Sequence, residues 1–130
     1  MADQQEKKFY TRAELQEFET IILKKLEVAR NELKELTEDL KAGGGEATDG
    51  YNYTDYGVDT QEKEQIEILM AREERFINGL ENALIRIKNG TYGVCRITGK
   101  LISKGRLKAV PHTTTSMEGK LKEKEQPKRL

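Results

Sequence analysis

The residues whose type and spacing come closest to a chemical site surround the single cysteine of the chain. Cys95 stands in a glycine-containing segment like one half of a zinc ribbon, in which a second cysteine follows three residues later. Thr98 takes the place of that cysteine, and the other two ligands, expected roughly 20 residues further on, would fall at Ser116 and Gly119. One sulfur atom does not hold a structural zinc ion, and His112 does not complete a set of four ligands. We therefore expect no zinc, with Cys95 packed as a small side chain and His112 on the surface.

Enzymatic chemistry has little support in the rest of the chain. The sequence contains one histidine and one cysteine, and no nucleophile stands at a useful spacing from a base. The glycine run 43–45 also lacks the lysine and the serine or threonine that complete a phosphate-binding loop. We predict that the protein is not an enzyme.

A second candidate site is the segment 42–59, which is rich in glycine, tyrosine and acidic residues. It holds three of the five tyrosines, and seven acidic residues from Glu38 to Glu62 stand against one base, Lys41. Helix-patterned segments on both sides make it the predicted tip of a helical hairpin. Its carboxylates could act on a basic or metal-bearing partner. The plainer interpretation is that the acids only solvate an exposed turn and the tyrosines hold the hairpin closed.

The first arm of this hairpin is predicted to begin at a capping box formed by Thr11 and Glu14. In such a box the hydroxyl and the carboxylate each accept a hydrogen bond from a free backbone N–H group. Apolar residues then recur at steps of three and four until the glycines end the pattern. They are Leu15, Phe18, Ile22, Leu26, Ala29, Leu33, Leu36 and Leu40.

The second arm is predicted to begin near Asp59 or Thr60 and to end at Asn89. Glu73 interrupts its apolar stripe at a core-like position, where the carboxylate would reach solvent or pair with a lysine or arginine of the first arm. Because neither helix is stable alone in water, the two stripes are expected to pack together in antiparallel order. The stripe residues of the second arm are Ile66, Leu69, Met70, Phe76, Ile77, Leu80, Ala83, Leu84 and Ile87.

Beyond the second arm the sequence predicts a small lobe. Residues 92–102 alternate and turn, which is typical of a short β-knuckle or hairpin. Residues 106–111 are expected to be extended, because Pro111 keeps Val110 out of a helix. A short helix is expected from Met117. Without zinc, the lobe would be held by Leu101, Ile102, Leu107 and Val110.

The predicted fold is mainly α, a long antiparallel two-helix coiled-coil hairpin with a small, degenerate zinc-ribbon-like C-terminal lobe. The expected division of the chain follows from these patterns. It consists of a flexible N-terminus at 1–11, the hairpin at 12–89 with its tip loop at 42–59, the lobe at 90–120 and a charged tail at 121–130.

Composition and charge agree with a protein that docks in one orientation. Hydrophobic and charged residues each make up 35% of the chain, which suits a solvated helical arm better than a thick core. No run approaches the roughly 20 apolar residues of a membrane span, and the N-terminus lacks a signal peptide, so we expect a cytoplasmic protein. The net charge is +0, yet the last 35 residues carry ten bases and three acids. The balanced total argues against general coating of nucleic acid, and the uneven distribution of charge favours docking in one orientation.

A motif runs through the lobe: Tyr92-Gly-Val-Cys95, then Thr98-Gly99 and Ile102, then Arg106-Leu, Ala109 and Pro111. It resembles the C-terminal zinc-finger segment of the DksA/TraR transcription factors. The hairpin, with its acidic tip and glutamate-rich second arm, is also similar to theirs, so the resemblance spans residues 12–120. The four zinc cysteines of the family fall on Cys95, Thr98, Ser116 and Gly119, which makes this chain a zinc-less variant.

The resemblance implies a bacterial transcription regulator that binds RNA polymerase directly and contacts no specific DNA sequence. The lobe would sit at the rim of the secondary channel, and the hairpin would carry its tip towards the active centre. The critical tip aspartate of the family falls on Asp55 and its acidic neighbour on Asn52, with Asp59 close by. The expected effect is a change in the lifetime of open promoter complexes, as in the stringent response.

The resemblance also makes guanosine tetraphosphate a candidate cofactor at the complex with polymerase. Lys120 matches a lysine of the family and is a candidate contact with polymerase or with this alarmone. Two other positions depart from the family. An arginine before the conserved proline is Val110 here, and a basic position on the second arm falls near Gly79.

The alternative hypothesis is a coiled-coil interaction or scaffold protein that has lost polymerase function together with its cysteines. Such a protein would associate with itself through the apolar stripes. The regulator, in contrast, is expected to be a monomer with no membrane partner.

Overall fold

The computed structural model describes residues 7–44 and 56–125, with side chains at 7–42 and 60–125. Four helices follow one another in this part of the chain. They are α1 (Arg12–Gly44), α2 (Tyr56–Asn89), α3 (Lys104–Ala109) and α4 (Met117–Glu125). The long helices α1 and α2 are the arms of the coiled-coil hairpin, so the predicted fold class is confirmed. Among the described helices, none combines the length and apolar composition needed to cross a membrane.

The start of α1 is the predicted capping box. The Thr11 backbone N–H donates to Glu14 Oε1 at 2.8 Å, and the Glu14 N–H donates to Thr11 Oγ1 at 3.1 Å. Lys7 and Lys104 each place Nζ 3.0 Å from a carboxylate oxygen of Glu14. The hydrogen bond from the Thr11 backbone, followed by those from the two lysines, lowers the pKa of Glu14 to about 2. The ionised Glu14 therefore joins the N-terminal segment, α1 and α3 at neutral pH.

The chain forms two compact units, each with its own core. We call them the base unit (Met1–Lys25 and Gly79–Leu130) and the shaft unit (Leu26–Asn78). In the base unit the predicted stripes of both arms are buried where the arms meet. The buried stripe residues there are Leu15, Phe18, Ile22, Leu80 and Ala83.

The shaft unit is less well buried. Leu26, Ala29 and Ile77 are buried in it, whereas the later stripe residues of α1 are only half-buried. Leu69 was predicted to be buried, but 44% of it is exposed. The prediction is wrong because Met70 takes the core position beside it, and adjacent helix residues point about 100° apart.

The second arm begins earlier than its sequence pattern predicts. α2 starts at Tyr56 rather than near Asp59 or Thr60, and α1 ends at Gly44 within the glycine run. Once a helix is nucleated, another turn costs little, and no proline stands at positions 56–59 to stop it. The segment between the arms is correspondingly shorter than the predicted tip loop.

The lobe contains less β-structure and more helix than predicted. Within the described residues, the expected knuckle is reduced to a single antiparallel bridge between Val94 and Leu101. The predicted extended segment is instead α3, because the Ser103 hydroxyl accepts a hydrogen bond from the Arg106 N–H at 3.2 Å and caps a helix there. The prediction for Val110 is confirmed, since its φ of −133° and ψ of 76° lie outside the helical region.

The last helix begins at Met117 as predicted but runs further than predicted. The Gly119 N–H donates to Ser116 Oγ at 3.0 Å at the start of α4. Residues 121–125, assigned from the sequence to a charged tail, continue this helix. Lysine and glutamate favour helix formation, and Glu118 and Lys122 form an i,i+4 pair at 3.9 Å.

Candidate functional site

Three aromatic rings join the lobe to the foot of the hairpin in the base unit. The ring of Phe18 on α1 lies 5.5 Å from that of Tyr10 and 5.4 Å from that of Tyr92, measured between centroids. All three side chains are buried. Edge-on and tilted pairs at such distances stabilise a core beyond the area that they bury. Tyr10 therefore does not behave as part of a flexible N-terminus, because its ring closes over Phe18.

The hydroxyls of the two tyrosines tie down the lobe backbone. Tyr10 donates to the carbonyl oxygen of Ile102, and Tyr92 donates to that of Pro111 at 2.8 Å. Burial raises the pKa of Tyr10, and it raises the pKa of Tyr92 to about 12. Both hydroxyls therefore keep their protons and remain donors at neutral pH. The lobe is held at two points that its sequence pattern did not predict.

Gly93 allows this close approach. Its φ is +88°, a conformation that side chains other than glycine rarely adopt. A Cβ atom at this position would lie 2.7 Å from two ring carbons of Tyr10. The glycine that follows Tyr92 is thus required both by its backbone and by the ring packed on it.

The four positions of the predicted degenerate zinc site come together around one sulfur atom. The backbone N–H groups of Ile97 and Thr98 point to Cys95 Sγ at 3.4 Å. The side chains of Thr98 and Ser116 also hydrogen-bond to this sulfur. A Cβ atom at Gly119 would lie 2.5 Å from it. The structure therefore brings all four positions to the sulfur of Cys95.

The surroundings of Cys95 favour a thiolate. Burial raises its pKa, but hydrogen bonds from the side chains and backbones of Ser116 and Thr98 together outweigh the burial. They lower the pKa of Cys95 from its usual 9.0 to about 6. The sulfur is nevertheless closed off, because the residue is only 1% exposed. Cys95 is more than a small packed side chain, since its sulfur is the common acceptor of the knuckle.

Two arginines link the knuckle and α3 to the C-terminal part of the lobe. Arg106 Nε donates to the carbonyl oxygen of Thr115 at 2.7 Å. The Arg96 backbone N–H donates to the carbonyl oxygen of Thr114 at 2.9 Å, and its Nη2 lies 2.7 Å from Glu123 Oε2. These bonds connect the knuckle and α3 to the segment that leads into α4 and to α4 itself. They link the two halves that a zinc ion links in a zinc ribbon.

The apolar part of the lobe agrees only partly with its prediction. Ile102 and Leu107 are fully buried, whereas Leu101 and Val110 are half-buried. The predicted apolar core of the lobe did not include Tyr10, which is buried there. A signal for it exists in the sequence, because an apolar residue directly before a helix cap often packs on the helix as a hydrophobic staple.

The architecture described above matches that of a known transcription factor. It superimposes on the structure of transcription factor DksA2 from Pseudomonas aeruginosa with a TM-score of 0.79, over 87% of this chain and 84% of the other, at 22% identity. The chain has the DksA fold. The resemblance predicted from the sequence is thereby confirmed.

Sequence similarity to curated proteins supports this at partial coverage. The RNA polymerase-binding transcription factor DksA of Caulobacter vibrioides is 40% identical over 47 residues, which are 36% of this chain and 33% of that protein. General stress protein 16O of Bacillus subtilis is 29% identical over 97 residues, 73% of this chain and 57% of that protein. The uncharacterized protein YteA of Bacillus subtilis is 38% identical over 64 residues, 49% of this chain and 27% of that protein. The chain thus spans less than two thirds of each relative. No family model matches it.

The residues at the zinc positions of this DksA fold do not fit a zinc ion. A structural zinc site needs four nitrogen or sulfur ligands. Cys95 supplies one sulfur, Thr98 and Ser116 supply hydroxyls, and Gly119 has no side chain. In the described residues, no group of three or more histidine, cysteine, aspartate or glutamate side chains could hold a metal ion. The space beside the sulfur is also too small, because even a Cβ atom at Gly119 would collide with it.

The positions that the sequence resemblance relates to an alarmone carry little of the expected charge. A Cβ atom at Gly79 would lie 3.2 Å from Cβ and Cδ2 of His112, so the histidine ring covers this part of α2. His112 is therefore half-buried rather than on the surface as predicted, because glycine leaves room for the ring. Burial, and then the charge of Arg86, lower the pKa of His112. Val110 and Gly79 offer no charge, whereas Lys120 is an exposed cation on α4.

The predicted tip residues lie mainly beyond the described residues. Asn52 and Asp55 fall in the segment 45–55, outside the described part of the chain. The backbone of Asp59 belongs to the first turn of α2, and its side chain is also outside the description. Their role stays a prediction.

Proposed function

We propose that the chain is a transcription regulator that binds bacterial RNA polymerase directly, at the secondary channel, and modulates initiation through the acidic tip of its hairpin. The observation that carries this proposal is the DksA fold, which extends over 87% of the chain. A second support is the stretch shared with the Caulobacter relative, whose name describes RNA polymerase binding. The similarity supports a regulatory role of the transcription-factor type.

Each part of the molecule has a distinct role in this proposal. The base unit serves as the docking handle, and its ties through Tyr10 and Tyr92 keep the lobe in one position on the hairpin foot. Asp55 is the proposed effector at the tip, with Asn52 and Asp59 beside it. Lys120, exposed on α4, is the proposed basic contact with polymerase.

The proposed regulator also lacks several properties. It acts as a cytoplasmic monomer that catalyses no reaction, holds no zinc and recognises no DNA sequence. Guanosine tetraphosphate would act only at the complex with polymerase, because the chain retains few of the basic positions that the family resemblance leads one to expect. A polarised charge distribution favours docking in one orientation.

Retention on immobilised core RNA polymerase tests the proposal. The full chain should bind at about one copy per polymerase, and a known secondary-channel factor should displace it. Asp55→Asn is the matched control, since it removes one tip charge and should leave retention unchanged. Failure to bind, or binding that the competitor does not reduce, would contradict the proposal. Concentration-dependent self-association in sedimentation, without polymerase binding, would favour the scaffold alternative.

A further inference from the structure

A groove on the shaft unit contains an unusual pair of acids. It has a volume of about 290 Å³ and lies between the two arms. α1 and α2 each contribute three residues to its lining. These residues are Glu32, Glu35 and Leu36 from α1 and Leu69, Arg72 and Glu73 from α2.

Glu73 occupies a position that the helical pattern reserves for an apolar side chain. It stands between Met70 and Ile77 at the spacing of the stripe, and it is half-buried. Instead of a lysine or arginine of the first arm, the side chain that shares the groove with it from α1 is the carboxyl group of Glu32, and this carboxyl group acts on Glu73 electrostatically. Ionised carboxylates only accept hydrogen bonds, so a bond between two carboxyl groups requires one of them to be protonated.

We propose that Glu32 and Glu73 share a proton across the hairpin and make the stability of the shaft unit depend on pH. With the proton in place, the pair joins α1 to α2 by a hydrogen bond. When the proton leaves, two negative charges face each other across the groove, and the one on Glu73 stands at a half-buried core position. Like charges held at such short range oppose the pairing of the arms.

The electrostatics of the groove support this proposal. The hydrogen bond with Glu32, then burial, then the charge of Glu32 raise the pKa of Glu73 from 4.5 to about 7. The unfolded chain therefore releases this proton near pH 4.5, whereas the folded chain holds it to about pH 7. The stabilisation from the shared proton is complete below pH 4.5 and is lost as the pH rises through about 7.

Two further charged groups line the groove and act in opposite directions. Arg72 on α2 is a cation that can offset part of the charge after the proton leaves. Glu35 on α1 adds a third carboxyl group and increases the repulsion. Neither is the hydrogen-bond partner of Glu73, which is Glu32. The pH response is accordingly assigned to the pair and not to the groove as a whole.

An NMR titration and urea unfolding of the full chain test the proposal together. In the wild type, the Glu73 carboxyl signal should titrate near pH 7. Glu73→Gln keeps the shape and cannot ionise, so at pH 8.5 it should raise the urea midpoint by roughly 0.5 M over the wild type. At pH 4.5 the two midpoints should nearly coincide. Glu32→Gln should return the Glu73 signal towards its ordinary titration range.

Glu35→Gln is the matched control, because it removes a carboxyl group from the same groove but not from the pair. It should leave the titration of Glu73 near pH 7 and alter the pH dependence of the midpoint much less than Glu73→Gln. A wild-type Glu73 signal that titrates near pH 4.5 would overturn the proposal. An effect of Glu35→Gln equal to that of Glu73→Gln would also overturn it. These readouts concern the free protein and are independent of polymerase binding.

Discussion

Gly93→Ala is expected to destabilise the base unit by about 3 kcal/mol. An alanine forced into the left-handed conformation of Gly93 costs about 1–2 kcal/mol. Overpacking adds roughly 1–3 kcal/mol, because the new Cβ atom would lie 2.7 Å from the ring of Tyr10. The ring can move away only by breaking its hydroxyl bond to Ile102 and its contact with Phe18. Urea unfolding followed by circular dichroism measures the loss.

Gly99→Ala is the matched control for this substitution. Gly99 has a similar φ of +77°, but nothing lies within 4 Å of a Cβ atom at that position. It should therefore show the backbone cost alone, about 1–2 kcal/mol. The difference between the two variants isolates the Tyr10 contact, and Tyr10→Ala should reduce that difference. Equal losses for Gly93→Ala and Gly99→Ala would refute the role assigned to Tyr10.

A second large effect is expected from placing cysteines at the three predicted zinc positions that lack one. The triple variant Thr98→Cys, Ser116→Cys, Gly119→Cys should bind one zinc ion, since all four positions already converge on the sulfur of Cys95. Zinc–sulfur bonds are about 2.3 Å long. Because Gly119 lies against the sulfur of Cys95, the backbone at Gly119 must move away from this sulfur to make room for the ion. Structural zinc sites contribute on the order of 10 kcal/mol in small domains. The thermal midpoint of the variant should therefore rise steeply with zinc and fall again on addition of a chelator.

The double variant Thr98→Cys, Ser116→Cys separates this effect from the simple addition of thiols. It lacks the fourth ligand at Gly119 and should bind zinc much more weakly than the triple variant. The wild type should contain no stoichiometric zinc in elemental analysis. A triple variant that takes up no zinc would show that the four positions do not form a tetrahedral set. Stoichiometric zinc in the wild type would contradict the metal-free lobe.

The features predicted correctly from the sequence are those set by local spacing. The capping box of Thr11 and Glu14 depends on residues three apart, and the structure contains both of its hydrogen bonds. The hairpin arms follow from apolar steps of three and four, and their burial is clear for Phe18, Ile22 and Leu80. The cap at Ser116 is equally local. Such patterns carry their own physical cause within one or two helical turns.

The features that were missed depend on partners far apart in the chain. α3 was expected to be extended because Pro111 follows it, but the cap at Ser103 and the burial of Leu107 favour a helix. Tyr10 is buried through a bond to Ile102, 92 residues away. Neither the partner nor the direction of the ring can be read from residues near Tyr10. Tertiary contacts decide such cases over local preference.

Glu73, in the groove of the shaft unit, shows the same limit of prediction from local sequence. Its interruption of the apolar stripe was visible in the sequence, but the expected partner was a base. The structure provides Glu32 instead, because the register between the arms brings that carboxyl group opposite Glu73. Register follows from the packing of both helices over their length, and neither helix determines it alone.

The lifetime of open promoter complexes, measured with wild type and Asp55→Asn at equal polymerase occupancy, tests the central claim most directly. Under the proposed function the wild type should change this lifetime, because a tip carboxylate that contacted polymerase differently in its competing states would shift their populations by about 1–3 kcal/mol. Asp55→Asn should bind equally and lose most of the effect, about tenfold for each 1.4 kcal/mol. Asn52→Asp, which adds a tip acid, should strengthen it. If Asp55→Asn changes the lifetime as much as the wild type does, the proposed tip mechanism is contradicted.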